Sequence, residues 1–125
     1  MSERQKILIV DDEVDQLEII REWLAETYDV TAVGSPALAL KAIETTRYDL
    51  MVTDFSMPEM NGAQLASKIT KMPQLSSMPV IMLTGIQDDL AITVIKSIPR
   101  IKFVQKPIRK AEFLPIVEEM LKVLH

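Results

Sequence analysis

The fold of this chain is indicated first by the stretch Lys6-Ile7-Leu8-Ile9-Val10-Asp11-Asp12, an apolar run that stops at two carboxylates. A short β-branched run of this kind is typical of a strand that is buried on both faces of a sheet. Four further runs of similar length recur along the chain. The five predicted strands are Lys6–Val10, Tyr28–Val33, Asp49–Thr53, Pro79–Leu83 and Ile101–Val104.

A helical pattern follows each predicted strand. After the first strand, apolar side chains recur at steps of three and four residues, as they do on one face of a helix. Ser35-Pro36 combines a favoured N-cap residue with a proline at the first helical position. The predicted helices span residues 13–28, 36–44, 63–71 and 88–97, and a last helix places Phe113, Val117, Leu121 and Leu124 on one face.

Pro115 lies within the last helical pattern, where a proline removes a backbone hydrogen bond. Either this helix begins near Glu112, so that Pro115 falls in its first turn, or the helix bends at Pro115. We favour the later start.

Five strands that alternate with helices predict an α/β fold, in which helices cover both faces of an open parallel sheet. The right-handed crossover rule leaves few topologies for such a chain. Five strands in 125 residues suit a flavodoxin-like (βα)5 three-layer sandwich with the strand order 2-1-3-4-5. Because this length corresponds to one domain, we expect residues 1–125 to form a single unit.

The composition excludes several kinds of site and protein. The chain has no cysteine and one histidine, His125, which excludes disulfide scaffolds, thiolate metal sites, cysteine nucleophiles and histidine-based triads. No apolar run approaches the ~20 residues of a membrane span, and the first apolar stretch is too short for a secretory signal. We therefore predict a soluble, cytoplasmic protein without membrane insertion.

The net charge of −4 is unevenly distributed along the chain. Residues 1–62 carry thirteen acidic and five basic side chains, whereas residues 63–125 carry five acidic and nine basic ones. Six of the bases lie in the segment 96–110, which contains no acid. An acidic protein binds nucleic acid poorly, so we expect no direct nucleic-acid contact. The basic segment is either a surface for an acidic output partner or a homodimer, or an ordinary solvated surface.

Polar side chains follow four of the predicted strands. Asp11 and Asp12 come after the first strand, Asp54 after the third, Thr84 after the fourth, and Lys106 near the end of the fifth. In an open α/β sheet, ligands bind at the carboxyl ends of the strands, where the strand order reverses. For the order 2-1-3-4-5, the reversal lies between the first and third strands, which carry the aspartates. We therefore expect these side chains to form one site.

The residue types of this expected site indicate phosphoryl chemistry. Three converging carboxylates raise each other's pKa unless a cation lies among them. Oxygen ligands without histidine or cysteine suit a hard cation, either Mg²⁺ or Ca²⁺. A lysine and a hydroxyl beside such a cation form a set that binds phosphoryl groups. One aspartate is a candidate nucleophile, because carboxylates form acyl phosphates in known enzymes.

The chain resembles the receiver domain of bacterial two-component response regulators over essentially its whole length. The resemblance rests on four motifs, each placed at the end of a predicted strand. They are Ile9-Val10-Asp11-Asp12-Glu13, Thr53-Asp54-Phe55-Ser56-Met57-Pro58-Glu59-Met60-Asn61-Gly62, Leu83-Thr84-Gly85 and Phe103-Val104-Gln105-Lys106-Pro107. Each motif alone is a weak signal, but the four in this order are specific.

The resemblance implies a role for the residues at the strand ends. Asp54 is expected to accept a phosphoryl group from a phosphohistidine on a histidine kinase or a histidine phosphotransfer protein. Thr84 and Lys106 are expected to contact phosphoryl oxygens, and the Lys106–Pro107 peptide bond is expected to be cis. Phe103 is the expected switch residue, which turns inward as Thr84 moves on phosphorylation.

The resemblance also implies a Mg²⁺ cofactor. Asp12 and Asp54 are expected to bind the ion directly together with the backbone carbonyl of Ser56, and Asp11 is expected to act through a metal-bound water. The chain is then a signalling phospho-acceptor and not an enzyme. Its phosphorylation is expected to change the surface formed by the fourth helix, the fifth strand and the fifth helix.

Four positions differ from common features of the family or flank the expected phosphoryl group. Pro99 and Arg100 replace a common glycine-alanine pair before the fifth strand, and a proline there puts the usual movement of the fourth helix in doubt. Phe103 lacks the tyrosine hydroxyl of some members. Ile86 flanks the expected phosphoryl position, and we hypothesise that it shields the phosphate from water.

Two other functions remain open. A haloacid-dehalogenase-like aspartyl-phosphate hydrolase also uses aspartate, lysine, threonine and Mg²⁺, but it carries an Asp-x-Asp pair on its first strand and usually a cap domain. A non-phosphorylated protein-interaction module is expected to have lost site residues that this chain retains.

Overall fold

The structure is a computed structural model that describes residues 4–85 and 100–122. Its strands are β1 (Lys6–Val10), β2 (Asp29–Val33), β3 (Leu50–Asp54), β4 (Val80–Thr84) and β5 (Ile101–Gln105). Its helices are α1 (Val14–Ala25), α2 (Pro36–Thr45), α3 (Gly62–Thr70) and the C-terminal helix (Lys110–Lys122), with a 3₁₀ turn at Pro73–Leu75.

The predicted elements within the described residues are all present, with their ends shifted by at most three residues. The 3₁₀ turn was not predicted. The fourth predicted helix, residues 88–97, lies outside the described residues. Among the helices that the structure does describe, none combines the length and the apolar character needed to cross a bilayer.

The strands form one parallel sheet in the order β2-β1-β3-β4-β5, which confirms the predicted topology. Val10 of β1 is opposite Thr53 of β3, and Asp54 of β3 is opposite Leu83 of β4. Thr84, the last residue of β4, is opposite Gln105 of β5. The inner strands therefore end together, at an edge that we call the carboxyl edge.

Two apolar clusters cover the two faces of the sheet and confirm the three-layer sandwich. Successive strand residues point to opposite faces, so alternate residues of one strand enter opposite clusters. Leu8 of β1 packs with α2 and α3, whereas Ile9 packs with α1 and the C-terminal helix. In the second cluster, the ring centroids of Trp23 and Phe113 lie 6.2 Å apart. The sheet is held rigidly between these layers, which fixes the positions of its strand ends.

The start of the C-terminal helix differs from the prediction. The helix begins at Lys110 rather than near Glu112, and Pro115 lies at its sixth position. Its first turn closes before the proline, because the Phe113 amide donates to the Arg109 carbonyl at 2.8 Å. Pro115 is exposed, so water can bind the carbonyl that the proline leaves without a helical partner.

Candidate functional site

The carboxyl edge brings the predicted site residues together. Asp11 and Asp12 directly follow β1, Asp54 and Thr84 end their strands, and Lys106 directly follows β5. Carboxylate oxygens of Asp11, Asp12 and Asp54 all lie within 4.8 Å of one another. The Lys106 Nζ lies 2.7 Å from Asp54 Oδ1. Among the described residues, the site thus holds three carboxylates and one ammonium group.

Asp11 is a fully buried carboxylate that is held by the start of α1. Its Oδ1 accepts a hydrogen bond from the Glu13 amide at 2.9 Å, and its Oδ2 accepts one from the side-chain amide of Gln16. Its backbone amide donates to the Val33 carbonyl of β2 at 3.2 Å. The backbone and the carboxylate of Asp11 are therefore both fixed before any ligand binds.

Asp54 is a buried carboxylate that faces a single cation. Its side chain is 4% exposed, and its Oδ1 is paired with the Lys106 ammonium at 2.7 Å. No other donor within the described residues bonds to this oxygen. Burial raises the pKa of Asp54 and is the largest cause. Lys106 lowers this pKa, whereas the charges of Asp11 and Asp12 raise it. The net result is a pKa above the usual value for an aspartate. The site therefore resists ionisation of this carboxyl.

The ammonium of Lys106 responds to the same surroundings. Burial lowers the pKa of Lys106, but its pairing with Asp54 and the charges of Asp11 and Glu13 raise the pKa more, so the net direction is upward. Lys106 and Asp54 thus both favour their protonated forms. Burial is the largest cause for Asp54, and the surrounding carboxylates are the cause for Lys106.

The donor set of the cluster fits a hard divalent cation. Within residues 4–85 and 100–122, the clustered side-chain ligands are carboxylates, and a cation among them would offset their mutual repulsion. Asp12 is exposed, which lets water complete the coordination shell that Mg²⁺ prefers to keep. Within the described residues, the Lys106 ammonium is the one donor group against the buried Oδ1 of Asp54, so a bound cation would share this carboxylate with Lys106. The residues at the carboxyl edge therefore fit Mg²⁺.

The loop between β3 and α3 holds Asp54 through close backbone contacts. The Phe55 amide donates to the Leu83 carbonyl at 2.9 Å, and the Gly62 amide donates to the Phe55 carbonyl at 2.8 Å. A Cβ added at Gly62 would lie 2.3 Å from the Asp54 carbonyl oxygen and 2.6 Å from Met82 Sδ. The sequence places Gly62 at the end of a receiver motif but gives no signal of this close approach, which leaves no room for a side chain unless the loop shifts.

The other predicted site residues surround the aspartate–lysine pair. Thr84 is nearly buried, and its carbonyl accepts a hydrogen bond from the Lys106 amide at 2.8 Å. Its hydroxyl makes no hydrogen bond within the described residues. Ser56 is exposed in the loop after β3, and Phe103 is half-buried against the α2–α3 cluster. The Lys106–Pro107 peptide bond is cis.

The basic segment 96–110 divides into two parts. Lys106 faces Asp54 at the carboxyl edge. The other bases that the structure describes are exposed, namely Arg100, Lys102, Arg109 and Lys110. The predictions that concern Ile86, Lys96 and Pro99 fall outside the described residues.

Known proteins resemble this chain along most of its length. A family model for the response regulator receiver domain matches residues 7–118. The cyclic di-GMP phosphodiesterase response regulator RpfG of Xanthomonas campestris pv. campestris is 30% identical over 94% of this chain and 32% of that protein. The DNA-binding response regulator MtrA of Mycolicibacterium paratuberculosis is 28% identical over 95% of this chain and 52% of that protein. The chain thus spans about a third to about half of these curated relatives.

A solved structure gives the same result for the fold. It is the signal receiver domain of a signal transduction histidine kinase from Syntrophus aciditrophicus, and it superposes with a TM-score of 0.86. Its sequence is 30% identical, and the match covers 94% of this chain and 90% of that chain.

Proposed function

This chain belongs to the response regulator receiver domain family of two-component signalling, and we propose that Asp54 is its phosphoryl acceptor. The observation that carries the proposal is the buried Asp54 carboxylate, with the Lys106 ammonium 2.7 Å away and two further carboxylates beside it. The domain extends, in this proposal, over residues 1–125.

The proposed reaction transfers a phosphoryl group between side chains. An oxygen of the Asp54 carboxylate attacks the phosphorus of a phosphohistidine on a histidine kinase or a histidine phosphotransfer protein. An oxygen–phosphorus bond forms while the nitrogen–phosphorus bond breaks, and the departing imidazole nitrogen takes up a proton from water. Lys106 then pairs with one phosphoryl oxygen, and the Thr84 hydroxyl donates a hydrogen bond to another.

A Mg²⁺ ion would be held by Asp12, Asp54 and the backbone carbonyl of Ser56, with Asp11 acting through a metal-bound water. When bound, the ion supplies positive charge that offsets the repulsion between the carboxylates and the phosphoryl oxygens. The three carboxylates, whose oxygens lie within 4.8 Å of one another, support this assignment.

Phosphorylation would act as a switch at β5. It adds a charge of about −1.5 to −2 beside Thr84, whose hydroxyl has no hydrogen-bond partner within the described residues. Thr84 would move toward the phosphoryl group and Phe103 would turn inward. These movements would change the surface formed by the fourth predicted helix, β5 and the C-terminal helix.

The exposed bases of this surface favour a protein partner of acidic character or a second copy of the chain. Lys102 lies on β5 and Lys110 begins the C-terminal helix, and both are exposed. The chain would act in the cytoplasm as a phospho-acceptor and not as an enzyme. It would not contact nucleic acid or membrane directly.

Incubation with acetyl phosphate and Mg²⁺, followed by intact-protein mass spectrometry, tests the phospho-acceptor assignment. We expect one phosphoryl adduct on the wild-type chain and none on Asp54→Asn or in the presence of EDTA. Asp49→Asn is the matched control, because Asp49 precedes the opposite end of β3, where it accepts the Lys6 amide at 2.8 Å. An adduct on Asp54→Asn would overturn the proposal. Repeated release of inorganic phosphate without a retained adduct would indicate a hydrolase instead.

A further inference from the structure

Gln16 contacts the site but has no part in the proposed function. It is the third residue of α1, and its side chain donates to Oδ2 of the buried Asp11. Because a carboxylate only accepts, the Gln16 amide must present its NH₂ group to Asp11. The Glu13 amide holds the other oxygen, Oδ1, at 2.9 Å. The start of α1 thus provides one donor for each oxygen of Asp11.

The start of α3 shows what a glutamine does at the same helical position without such a partner. Gln64 is the third residue of α3, and its side-chain oxygen accepts the backbone amide of the N-cap residue Asn61 at 2.9 Å. The Asn61 side chain accepts the Gln64 amide at 2.8 Å, which completes a capping box. In α1, the N-cap residue Glu13 makes no side-chain cap, and the Gln16 side chain turns to Asp11. The two glutamines therefore serve different purposes.

We infer that Gln16 is a positioning residue of the proposed Mg²⁺ site, acting through the Asp11 carboxylate that it orients. The inference rests on the proposed function, because it assigns Asp11 to that site. Groups that hold metal ligands in orientation change metal affinity by about 10–100-fold when they are removed. Since Asp11 contacts the ion through water, loss of Gln16 is expected to lower the affinity for Mg²⁺ by about tenfold.

Thermal unfolding at a series of Mg²⁺ concentrations tests the inference without any phosphorylation. An ion that binds only the folded chain raises its Tm, and the concentration required reports its affinity. Gln16→Leu removes the amide and keeps a similar helical propensity, and should require about tenfold more Mg²⁺ for the same rise in Tm. Gln64→Leu is the matched control, which should lower the Tm without Mg²⁺ and leave the Mg²⁺ requirement unchanged.

A second pair of variants distinguishes orientation of the Asp11 carboxylate by Gln16 from a general destabilisation of the start of α1. In the Asp11→Ala background, Gln16→Leu should cause no further change in the Mg²⁺ requirement, because the residue acts only through Asp11. An unchanged requirement in Gln16→Leu, or an equal change in Gln64→Leu, would overturn the inference while the metal site stands. If Mg²⁺ does not raise the Tm of the wild-type chain, the proposed metal site and the inference both fail.

Discussion

The two carboxylates buried at the carboxyl edge are held in opposite ways. Asp11 accepts hydrogen bonds on both oxygens, from the Glu13 amide and the Gln16 side chain. Within the described residues, Oδ1 of Asp54 has one partner, the Lys106 ammonium at 2.7 Å. The first arrangement fixes both oxygens of the carboxylate through neutral donors, whereas the second holds the carboxylate through one ionic partner. Burial alone therefore does not distinguish the two carboxylates, whereas the donors around them do.

The largest expected effect on stability comes from glycines whose backbone lies close to the two aspartates. A Cβ at Gly62 would lie 2.3 Å from the Asp54 carbonyl oxygen, so Gly62→Ala must displace the β3–α3 loop. We expect the free energy of unfolding to fall by about 3 kcal/mol, as for a severely overpacked site. Urea denaturation measures this loss.

The control for this substitution lies beside the other aspartate. A Cβ at Gly34 would meet only the Asp11 carbonyl oxygen, at 4.0 Å. Gly34→Ala should therefore stay within about 0.5 kcal/mol of the wild-type stability. Equal losses at Gly34 and Gly62 would show that the two backbone environments do not differ.

Magnesium should stabilise the chain through the cluster that contains Asp54. At an ion concentration ten times the Kd, the expected gain in unfolding free energy is about 1.4 kcal/mol. Asp12→Asn should remove most of this gain, because it removes a carboxylate of the cluster. Asp15→Asn is the control, since Asp15 is exposed and lies outside the cluster. Calorimetry with and without Mg²⁺ measures both; an equal gain in all variants would place the ion elsewhere.

In Mg²⁺-free buffer, Asp54→Asn and Asp11→Asn should change the Tm in opposite directions. Burial raises the pKa of Asp54 in the folded chain above its value in the unfolded chain. The protonated carboxyl therefore stabilises the fold at a pH below the unfolded-state pKa. This stabilisation is lost as the pH rises through the folded-state pKa. Asp54→Asn should therefore raise the Tm at neutral pH, and its advantage over wild type should shrink on acidification.

Asp11→Asn should lower the stability of the fold, in contrast to Asp54→Asn. An amide is a weaker acceptor than a carboxylate for the donors from Glu13 and Gln16, so we expect a loss of about 1 kcal/mol. Tm measured in EDTA across the acidic and neutral range compares the two variants. A shift in the same direction for both would contradict the difference between the two environments.

The smallest effect is expected at the Thr84 hydroxyl. Because this hydroxyl has no hydrogen-bond partner in the described part of the chain, Thr84→Val should change the unfolding free energy by less than about 0.5 kcal/mol. Thr53→Val should cost about 1 kcal/mol, since the buried Thr53 hydroxyl donates to the Asp54 carbonyl at 3.0 Å. Chemical denaturation of both variants tests the contrast, and a larger loss at Thr84 would reveal a structural role for its hydroxyl.

The meeting of the aspartates with Lys106 could be predicted from the sequence because it depends on backbone topology. Parallel strands end at one edge, so residues that follow β1, β3 and β5 must lie close together whatever their rotamers. Contacts that depend on a side-chain rotamer or on sub-ångström fit could not be predicted. The hydrogen bond from Gln16 to Asp11 depends on a side-chain rotamer. The lack of room for a side chain at Gly62 depends on the sub-ångström fit of the loop.

The predicted start of the C-terminal helix near Glu112 is wrong. That prediction considers only the poor fit of Pro115 in a helix and not the burial of the apolar side chains around it. Pro115 costs the helix one hydrogen bond at an exposed position, where water can replace it. The buried side chains of Phe113, Val117 and Leu121 gain apolar contacts only if the helix continues through the proline. Their burial outweighs the lost hydrogen bond.

The most direct test of the difference between Asp54 and Asp11 is to locate the phosphoryl group. After reaction with acetyl phosphate and Mg²⁺, hydroxylamine converts an acyl phosphate to a hydroxamate, and peptide mass spectrometry identifies the modified residue. We expect the hydroxamate at Asp54 alone. A hydroxamate at Asp11 or Asp12 would contradict the assignment of Asp54 as the reacting carboxylate.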